Sequence, residues 1–299
     1  MAASTATTAR AGLLYAALAY GAWGLFPLYW KLFVGVGAVE VLCHRIVWSA
    51  VLLLVSLAGR GQFQEFWAIR RSPRLLATLL TTALLLSANW GTYIYGVNTD
   101  RVVETSLGYF INPLFSVLLG CLVLREQLTR GQLLAVGLAS LGVADFIREL
   151  GQVPWIALGL AVSFGLYGLL RKLATVQPLP GLAVETLLVV PLALLWLGRL
   201  AITDAAHFND TPLLMLAFIG CGLVTSLPLL WFNNAARRLP LSTLGFMQYC
   251  APSLQLLLGV FIFHEPFTRT HAISFSLIWL ALAIYSAESL QRQLRRPSG

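Results

Sequence analysis

The sequence PLFSVLLGCLVLREQLTR, at residues 113–130, recurs as PSLQLLLGVFIFHEPFTR at residues 252–269. The two segments align without a gap at an offset of 139 and share seven identical residues. The shared residues include paired prolines, paired glycines and a common Glu-x-x-Thr-Arg ending. Because both copies are mostly apolar, we predict two related halves embedded in a membrane. Many transporter folds are built from internal repeats, so this pattern makes the chain a transporter candidate.

The composition argues against a water-soluble fold. Of the 299 residues, 58% are hydrophobic and only 11% are charged, whereas a soluble domain carries about 25% charged residues. The net charge of +8 does not indicate nucleic-acid binding, because the basic residues form short clusters between apolar runs, as in membrane-flanking loops. Membrane lipid is therefore the expected surrounding, and no nucleic-acid partner is predicted.

Motifs for enzymes and metal sites are lacking in the sequence. It has no HExxH, GxSxG or Walker loop, and its four cysteines fall in apolar runs without a CxxC pair. We therefore predict no metal, no cofactor and no enzymatic activity. A membrane-embedded enzyme, or a sensor without solute flux, is the alternative from another functional class.

Ten apolar runs are each long enough, or nearly so, to cross a bilayer as a helix. They cover residues 11–30, 41–57, 75–97, 105–124, 132–147, 154–170, 181–200, 212–232, 241–263 and 272–290. The predicted fold is therefore an all-α polytopic membrane protein with ten transmembrane helices. An even number of crossings places both termini on one side.

Lysine and arginine counts set the predicted orientation. With the termini inside, cytoplasmic segments hold 14 of these residues and the opposite side holds 5. We therefore predict a multi-pass protein of the bacterial inner (cytoplasmic) membrane, with cytoplasmic tails at residues 1–10 and 291–299. The first ten residues and the last nine are also expected to be disordered.

The same topology makes the two halves inverted. Residues 11–150 and residues 151–290 each contain five spans, so the second half starts from the opposite face of the membrane. Glu126 then falls in an inner loop and its counterpart Glu265 in an outer loop. Inverted repeats allow two mirror-related states, with the solute bound between the halves near the membrane centre.

Polar and aromatic side chains within the spans mark the predicted solute site, because ionisable groups are costly inside a membrane helix and a pocket for an organic solute combines apolar walls with a few polar groups. We assign to it His44, Arg45, Asn89, Trp90, Tyr93, Tyr109, Asn112, Tyr167, Glu185 and Gln248.

Each of these assignments has a structural alternative. Arg45 near a helix end could reach the headgroups, Asn89 could bond to a neighbouring helix, and Glu185 could pair with a basic residue. Arg171 fits a membrane-surface anchor better than a site residue. Glu40, at the start of the second span, fits an interfacial position at least as well as the cavity.

The fourth and ninth spans carry matching faces of small and polar residues. Pro113 and Pro252 each remove a backbone hydrogen bond, so we predict kinks at equivalent positions that suit hinged gating. Gly120 and Gly259 lie on the same faces, where either close helix packing or cavity lining explains them equally well.

Longer motifs add a family resemblance. They are GLFPLYWK (24–31), HRIVWS (44–49), NWGTYIYGVN (89–98), ETSLGYFINP (104–113), FGLYGLLRK (164–172) and LPLSTLGFMQYCAP (239–252). By these motifs the chain resembles the drug/metabolite transporter superfamily and its EamA repeat, and within it bacterial permeases associated with chloramphenicol sensitivity. The resemblance covers almost the whole chain and implies an inner-membrane permease without a settled solute.

These observations predict a secondary transporter that moves a small organic solute or drug-like metabolite by alternating access. An aromatic site with a basic cluster suits an amphiphilic or anionic metabolite. A coupling proton and assembly as a homodimer are both compatible with the sequence. Solute identity, direction, coupling ion and oligomeric state are not encoded in any motif.

Overall fold

A computed structural model describes residues 2–99, 101–264 and 269–295. Within these ranges all regular structure is helical, with a short 3₁₀ turn at Lys31–Phe33. The helices are α1 Ala2–Trp30, α2 Ala38–Gly59, α3 Phe63–Ile69, α4 Pro73–Asn98, α5 Val102–Leu122, α6 Arg130–Leu150, α7 Trp155–Leu173, α8 Pro178–Ile202, α9 Pro212–Ala236, α10 Leu241–Gln248, α11 Cys250–Phe261 and α12 Arg269–Arg295.

The predicted all-helical membrane fold is confirmed. Among the described residues, nine helical segments are long and apolar enough to cross a membrane, and the apolar part of α12, Ala272–Glu288, is a shorter tenth. Each of the ten predicted spans coincides with one of these segments. The ninth corresponds to α10 and α11 together.

Three local differences separate the structure from the sequence expectations. Helix α1 begins at Ala2 and α12 continues to Arg295, so the described parts of both predicted tails are helical rather than disordered. Residues 296–299 lie outside the described ranges. The short helix α3 occupies a loop in which no helix was predicted, and Ile69 at its end is buried against α4 and the segment after α7.

The helix contacts follow a two-fold pattern. Each of three contacts has a counterpart in which both helices are replaced by their equivalents in the other half. The contact α1–α9 corresponds to α7–α4, and α2–α9 corresponds to α8–α4. The contact of α1 with α10 and α11 corresponds to α7–α5. The pairs α2–α8, α5–α10 and α6–α12 each join a helix to its own counterpart in the other half. The duplication seen in the sequence is therefore also present in the packing.

Two glycines show this correspondence at the level of atoms. A Cβ on Gly24 would lie 2.6 Å from Leu254 Cβ, and a Cβ on Gly165 would lie 2.5 Å from Phe115 Cδ1. The two contacts occupy matching positions of the two halves. Each glycine lets a helix approach its partner more closely than any side chain would permit.

The paired prolines behave differently in the two halves. Pro113 lies within the continuous helix α5, whereas the ninth span is interrupted at Tyr249, one turn before Pro252. Neither proline has an N–H to donate to the carbonyl four residues earlier, but only Pro252 follows an interruption of its helix. The Tyr249 N–H bonds instead to the Phe246 carbonyl at 3.2 Å. A helix break is therefore present in one copy only, and the kink at Pro113 stays a prediction.

The repeated Glu-x-x-Thr motif ties the two halves together. The Glu126 carboxylate accepts hydrogen bonds from the backbone N–H groups of Leu241 (2.6 Å) and Ser242 (2.9 Å) and from the Ser242 hydroxyl (2.7 Å). It therefore caps the first turn of α10, where a negative charge is favoured. Thr129 forms a capping box with Gln132 at the start of α6. The second copy of the motif, at Glu265 and Thr268, lies outside the described residues.

The glycine of the motif makes room for this cap. A Cβ on Gly120 would lie 2.7 Å from Glu126 Oε2 and 3.2 Å from the Ser242 nitrogen. The carboxylate therefore crosses the end of α5 over a position without a side chain. Gly120 therefore serves close packing and not cavity lining. Its counterpart Gly259 is buried within α11.

Candidate functional site

A cavity lies between four helices. The space free of protein atoms between its walls is about 410 Å³, a figure that includes space open to solvent. Helices α2 and α4 of the first half supply Ile46, Ser49, Ala83, Leu86, Ser87 and Trp90, and helices α8 and α9 supply Leu182, Glu185, Thr186, Val189, Thr225, Ser226 and Leu229. Because α2 corresponds to α8 and α4 to α9, the cavity lies where the two halves meet symmetrically.

Arg45 borders this cavity at the end formed by Trp90 and Thr225, although it is not one of the lining residues. Its Nε donates a hydrogen bond of 3.0 Å to the Thr225 hydroxyl. Its guanidinium carbon lies 4.8 Å from the ring centre of Trp30 and 5.0 Å from that of Trp90. Arg45 is about 10 Å along α2 from the first residue of that helix, so it is a charged group within the span, held by aromatic rings and one hydroxyl.

Two tyrosines extend the site from Arg45. The rings of Tyr93 and Tyr109 are 6.3 Å apart in an edge-to-face contact, and both lie close enough to Arg45 to influence its charge. They remain 38% and 37% exposed, although Tyr109 lies about 10 Å along α5 from its first residue. Four of the predicted site residues, Arg45, Trp90, Tyr93 and Tyr109, are thus brought together.

Glu185 lies at the other end of the cavity in a buried ionic cluster. Its Oε1 is 3.4 Å from Arg171 Nη1 and accepts a hydrogen bond from the Thr82 hydroxyl. Both charged side chains are 2% exposed, and Glu185 Oε2 has no hydrogen-bond partner within the described residues. The expectation that Arg171 anchors the chain at the membrane surface is wrong: this side chain neutralises a carboxylate in the interior.

Tyr167 belongs to the wall behind this cluster. It is fully buried, and its hydroxyl lies 3.3 Å from the side-chain amide of Asn233 on α9. Its ring stacks on Phe232, with ring centres 5.9 Å apart. The side chain therefore joins α7 to α9 and does not line the cavity.

Two of the predicted amide ligands make hydrogen bonds within the protein, one between helices and one within α5. The Asn89 amide nitrogen donates to the Leu160 carbonyl at 3.0 Å and to the Ser163 hydroxyl at 2.9 Å, which links α4 to α7. Asn112 accepts a bond of 3.4 Å from Ser116 one turn later on α5. Gln248 is buried at the end of α10, beside the helix break. These three positions are away from the cavity walls.

His44 lies outside the cavity, on the face of α2 that contacts the loop between α8 and α9. Its ring stacks on Phe208 at 5.1 Å and contacts Phe218 at 4.1 Å between ring centres. One turn earlier, the buried Glu40 accepts bonds from the backbone N–H of His207 (2.7 Å) and from its ring Nδ1 (2.8 Å). The hydrogen bond to Glu40 raises the pKa of His207 above its ordinary value of 6.5.

Sequence reasoning missed several participants. Trp30 and Thr225 hold Arg45, and Thr82 bonds to Glu185, yet none of them was predicted. Arg171 could have been recognised, because it lies one helical turn from the predicted site residue Tyr167, as Glu40 lies one turn from His44. Serine and threonine in apolar spans are too common to be selected from one sequence. Within the described residues, no group of three His, Cys, Asp or Glu side chains could hold a metal ion.

Comparison with known proteins identifies the family of this chain. The sequence profile of the EamA-like transporter family matches it twice, at residues 10–147 and 153–287. The chain belongs to the EamA-like transporter family. Its helical membrane fold, with a cavity between matching helices, is therefore the structure of an EamA-like protein.

Similar EamA-like proteins occur in several bacteria. An uncharacterized transporter of Pseudomonas aeruginosa is 47% identical over 96% of this chain and 96% of its own length. Protein RarD of Streptomyces exfoliatus is 46% identical over 96% of this chain and 91% of its own. Protein RarD of Escherichia coli K12 is 40% identical over 96% of this chain and 97% of its own.

A solved crystal structure shares the fold. It covers 93% of this chain and 98% of its own, with a TM-score of 0.71 at 19% sequence identity. The likeness concerns the arrangement of the helices alone.

Proposed function

We propose that this EamA-like protein is a secondary transporter that moves a small organic solute across the bacterial inner membrane by alternating access. The observation that carries the proposal is the cavity between α2, α4, α8 and α9. It is lined by equivalent helices of both halves, with Glu185 in its wall and Arg45 in contact with the lining residues Trp90 and Thr225. Such a position between inverted repeats is where transporters bind solute.

The two-fold packing supports alternating access. If all ten segments cross the membrane in turn, residues 11–150 and 151–290 form inverted halves, and exchanging their conformations moves the opening from one face to the other. We place both termini in the cytoplasm on the basis of the lysine and arginine distribution.

A difference between the halves fits one of these two states. Helix α7 packs against α9, and the Lys172 ammonium donates to the carbonyls of Ala236 and Leu239. Among the described residues, comparable packing between the counterpart helices α1 and α4 is lacking. We infer that the structure is closed on the side of Lys172 and that the opposite state closes α1 onto α4.

The driving force follows from the sequence motifs. Since the chain carries no ATP-binding loop, we assign transport to the gradient of the solute itself or to a coupling proton. The described site residues do not favour the alternative of an embedded enzyme. His44 contacts two phenylalanine rings, while Glu40 and Glu185 lie in separate clusters in the two halves.

The experiment has two stages. Metabolite levels in cells and medium, compared with and without the protein, identify a transported solute, and flux of that solute is then measured in proteoliposomes. Tyr93→Ala should reduce flux, because Tyr93 lies beside Arg45. The matched control Tyr95→Ala should leave flux unchanged, since Tyr95 packs on Trp155 with ring centres 5.5 Å apart. Equal flux for wild type and Tyr93→Ala, or no flux at all, would contradict the proposal.

A further inference from the structure

We propose that the Arg45 guanidinium binds the carboxylate of the solute, so that the site takes organic anions with a planar apolar body. This inference rests on the proposed transport function and names its substrate class. It depends on three features of the described residues: the charge balance of the interior, the free face of Arg45, and the aromatic surroundings.

The charge balance favours an anion. Glu185 is paired with Arg171, and Glu40 is paired with His207. In the described part of the chain, no carboxylate lies within 4.0 Å of the Arg45 guanidinium. An unpaired charge within a membrane span is costly. A bound carboxylate would supply the missing partner, whereas a cationic solute would add a second positive charge.

The geometry of Arg45 leaves its terminal nitrogens available. The bond from Nε to Thr225 fixes the orientation of the guanidinium. Trp30 and Trp90 hold it through cation–π contacts, which do not use its N–H groups. A guanidinium presents a planar fork that matches the two oxygens of a carboxylate. Arg45 is thus a pre-oriented donor group, which reduces the entropy lost on binding.

The surroundings indicate the rest of the ligand. Tyr93 and Tyr109 lie beside Arg45, and more than a third of the surface of each side chain is left uncovered by protein. Their hydroxyls can donate to a carboxylate oxygen. Trp90, Ile46 and Leu86 form an apolar wall of the cavity next to Arg45. A planar hydrocarbon group fits against that wall while the carboxylate meets the arginine.

The test measures binding rather than flux. Purified protein in lipid nanodiscs is titrated with benzoate, phenylacetate and indole-3-acetate by calorimetry, and each acid is compared with its neutral amide. At least one acid should bind at least tenfold more tightly than its amide, a ratio typical of a hydrogen-bonded charge. Arg45→Gln should weaken binding of that acid about tenfold or more. Benzylamine should not compete with it.

Two further variants serve as controls. Arg199→Gln removes another arginine whose guanidinium lies over a tryptophan ring, 5.3 Å from the ring centre of Trp196. Arg199 is about 15 Å along α8 from the cavity residue Val189. Acid binding should therefore be unchanged in this variant. If Arg45→Gln does not yield folded protein, Thr225→Val replaces it, because it keeps the charge and removes the group that orients Nε. Thr225→Val should weaken acid binding by about threefold to tenfold.

Several results would overturn the assignment. The first is equal affinity for all three acids and their amides. The second is no binding of any acid up to 10 mM, which corresponds to a binding free energy weaker than about −3 kcal/mol. The third is acid binding that Arg45→Gln and Thr225→Val leave unchanged. Acid binding that depends on Arg45, combined with no flux of any solute, would refute transport and leave the anion site standing. Flux that Arg45→Gln does not affect would refute the anion site and leave transport standing.

Discussion

The contact between Glu126 and the start of α10 gives a quantitative prediction. Glu126→Gln keeps the size of the side chain but removes its charge, and it places an amide NH₂ among three donors on Leu241 and Ser242. A hydrogen bond to a charged group contributes about 1.5–3 kcal/mol. Because Glu126 is partly exposed and the glutamine oxygen can still accept one bond, we expect a net loss of about 2 kcal/mol in the free energy of unfolding.

Equilibrium unfolding in mixed micelles with increasing SDS measures this loss. The control is Glu65→Gln, in the exposed part of α3, which should change stability by less than about 0.5 kcal/mol. Gly120→Ala should also destabilise, because its Cβ would lie 2.7 Å from Glu126 Oε2. In the Glu126→Gln background, Gly120→Ala should cost less. A Glu126→Gln variant as stable as Glu65→Gln would refute the view that this motif joins the halves.

Two other predictions concern the buried charges. Arg171→Met should destabilise the protein by about 3–5 kcal/mol, because it leaves Glu185 charged and unpaired in the interior. The double variant Arg171→Met/Glu185→Leu should recover most of that loss in the same SDS assay. A double variant no more stable than Arg171→Met would contradict the pairing. The contact of His207 with Glu40 should weaken with rising pH, because the folded protein favours the charged imidazole of His207. The stabilisation is complete below pH 6.5 and is lost as the pH rises through the raised pKa of His207. Hydrogen-exchange protection of residues 203–211, corrected for intrinsic rates, should fall over that range in wild type but not in His207→Gln, and equal profiles would count against the contact.

The sequence was most informative where its signal was repeated or long. Ten apolar runs give the helices, and the duplicated segment indicates two related halves, because length and hydropathy alone decide what can cross a bilayer. The segment also marked Glu126 and Gly120, although their roles in capping and close approach depend on α10, which lies more than a hundred residues away in the sequence.

The site was predicted in part. Arg45, Trp90, Tyr93 and Tyr109 come together because charge and aromatic groups are rare enough within spans to be noticed. Asn89 and Tyr167 were chosen for the same reason, but they bond to neighbouring helices, and a single sequence does not tell which helix faces another. Arg171 was placed at the surface because its position near the end of α7 matches a membrane anchor. Its pairing with Glu185 depends on how α7 packs against α8.

The most direct test of transport through this cavity uses a single cysteine and requires no known solute. Ser87 lines the cavity, so Ser87→Cys is made after Cys43, Cys121, Cys221 and Cys250 are replaced, and a charged, membrane-impermeant thiol reagent is applied from each face of the membrane in turn. Alternating access predicts labelling of Ser87→Cys from both faces. It predicts no labelling of Ser140→Cys, because we expect the outward-facing Ser140 within the α6 span to meet lipid. Labelling of Ser87→Cys from one face only, or from neither, would contradict the account.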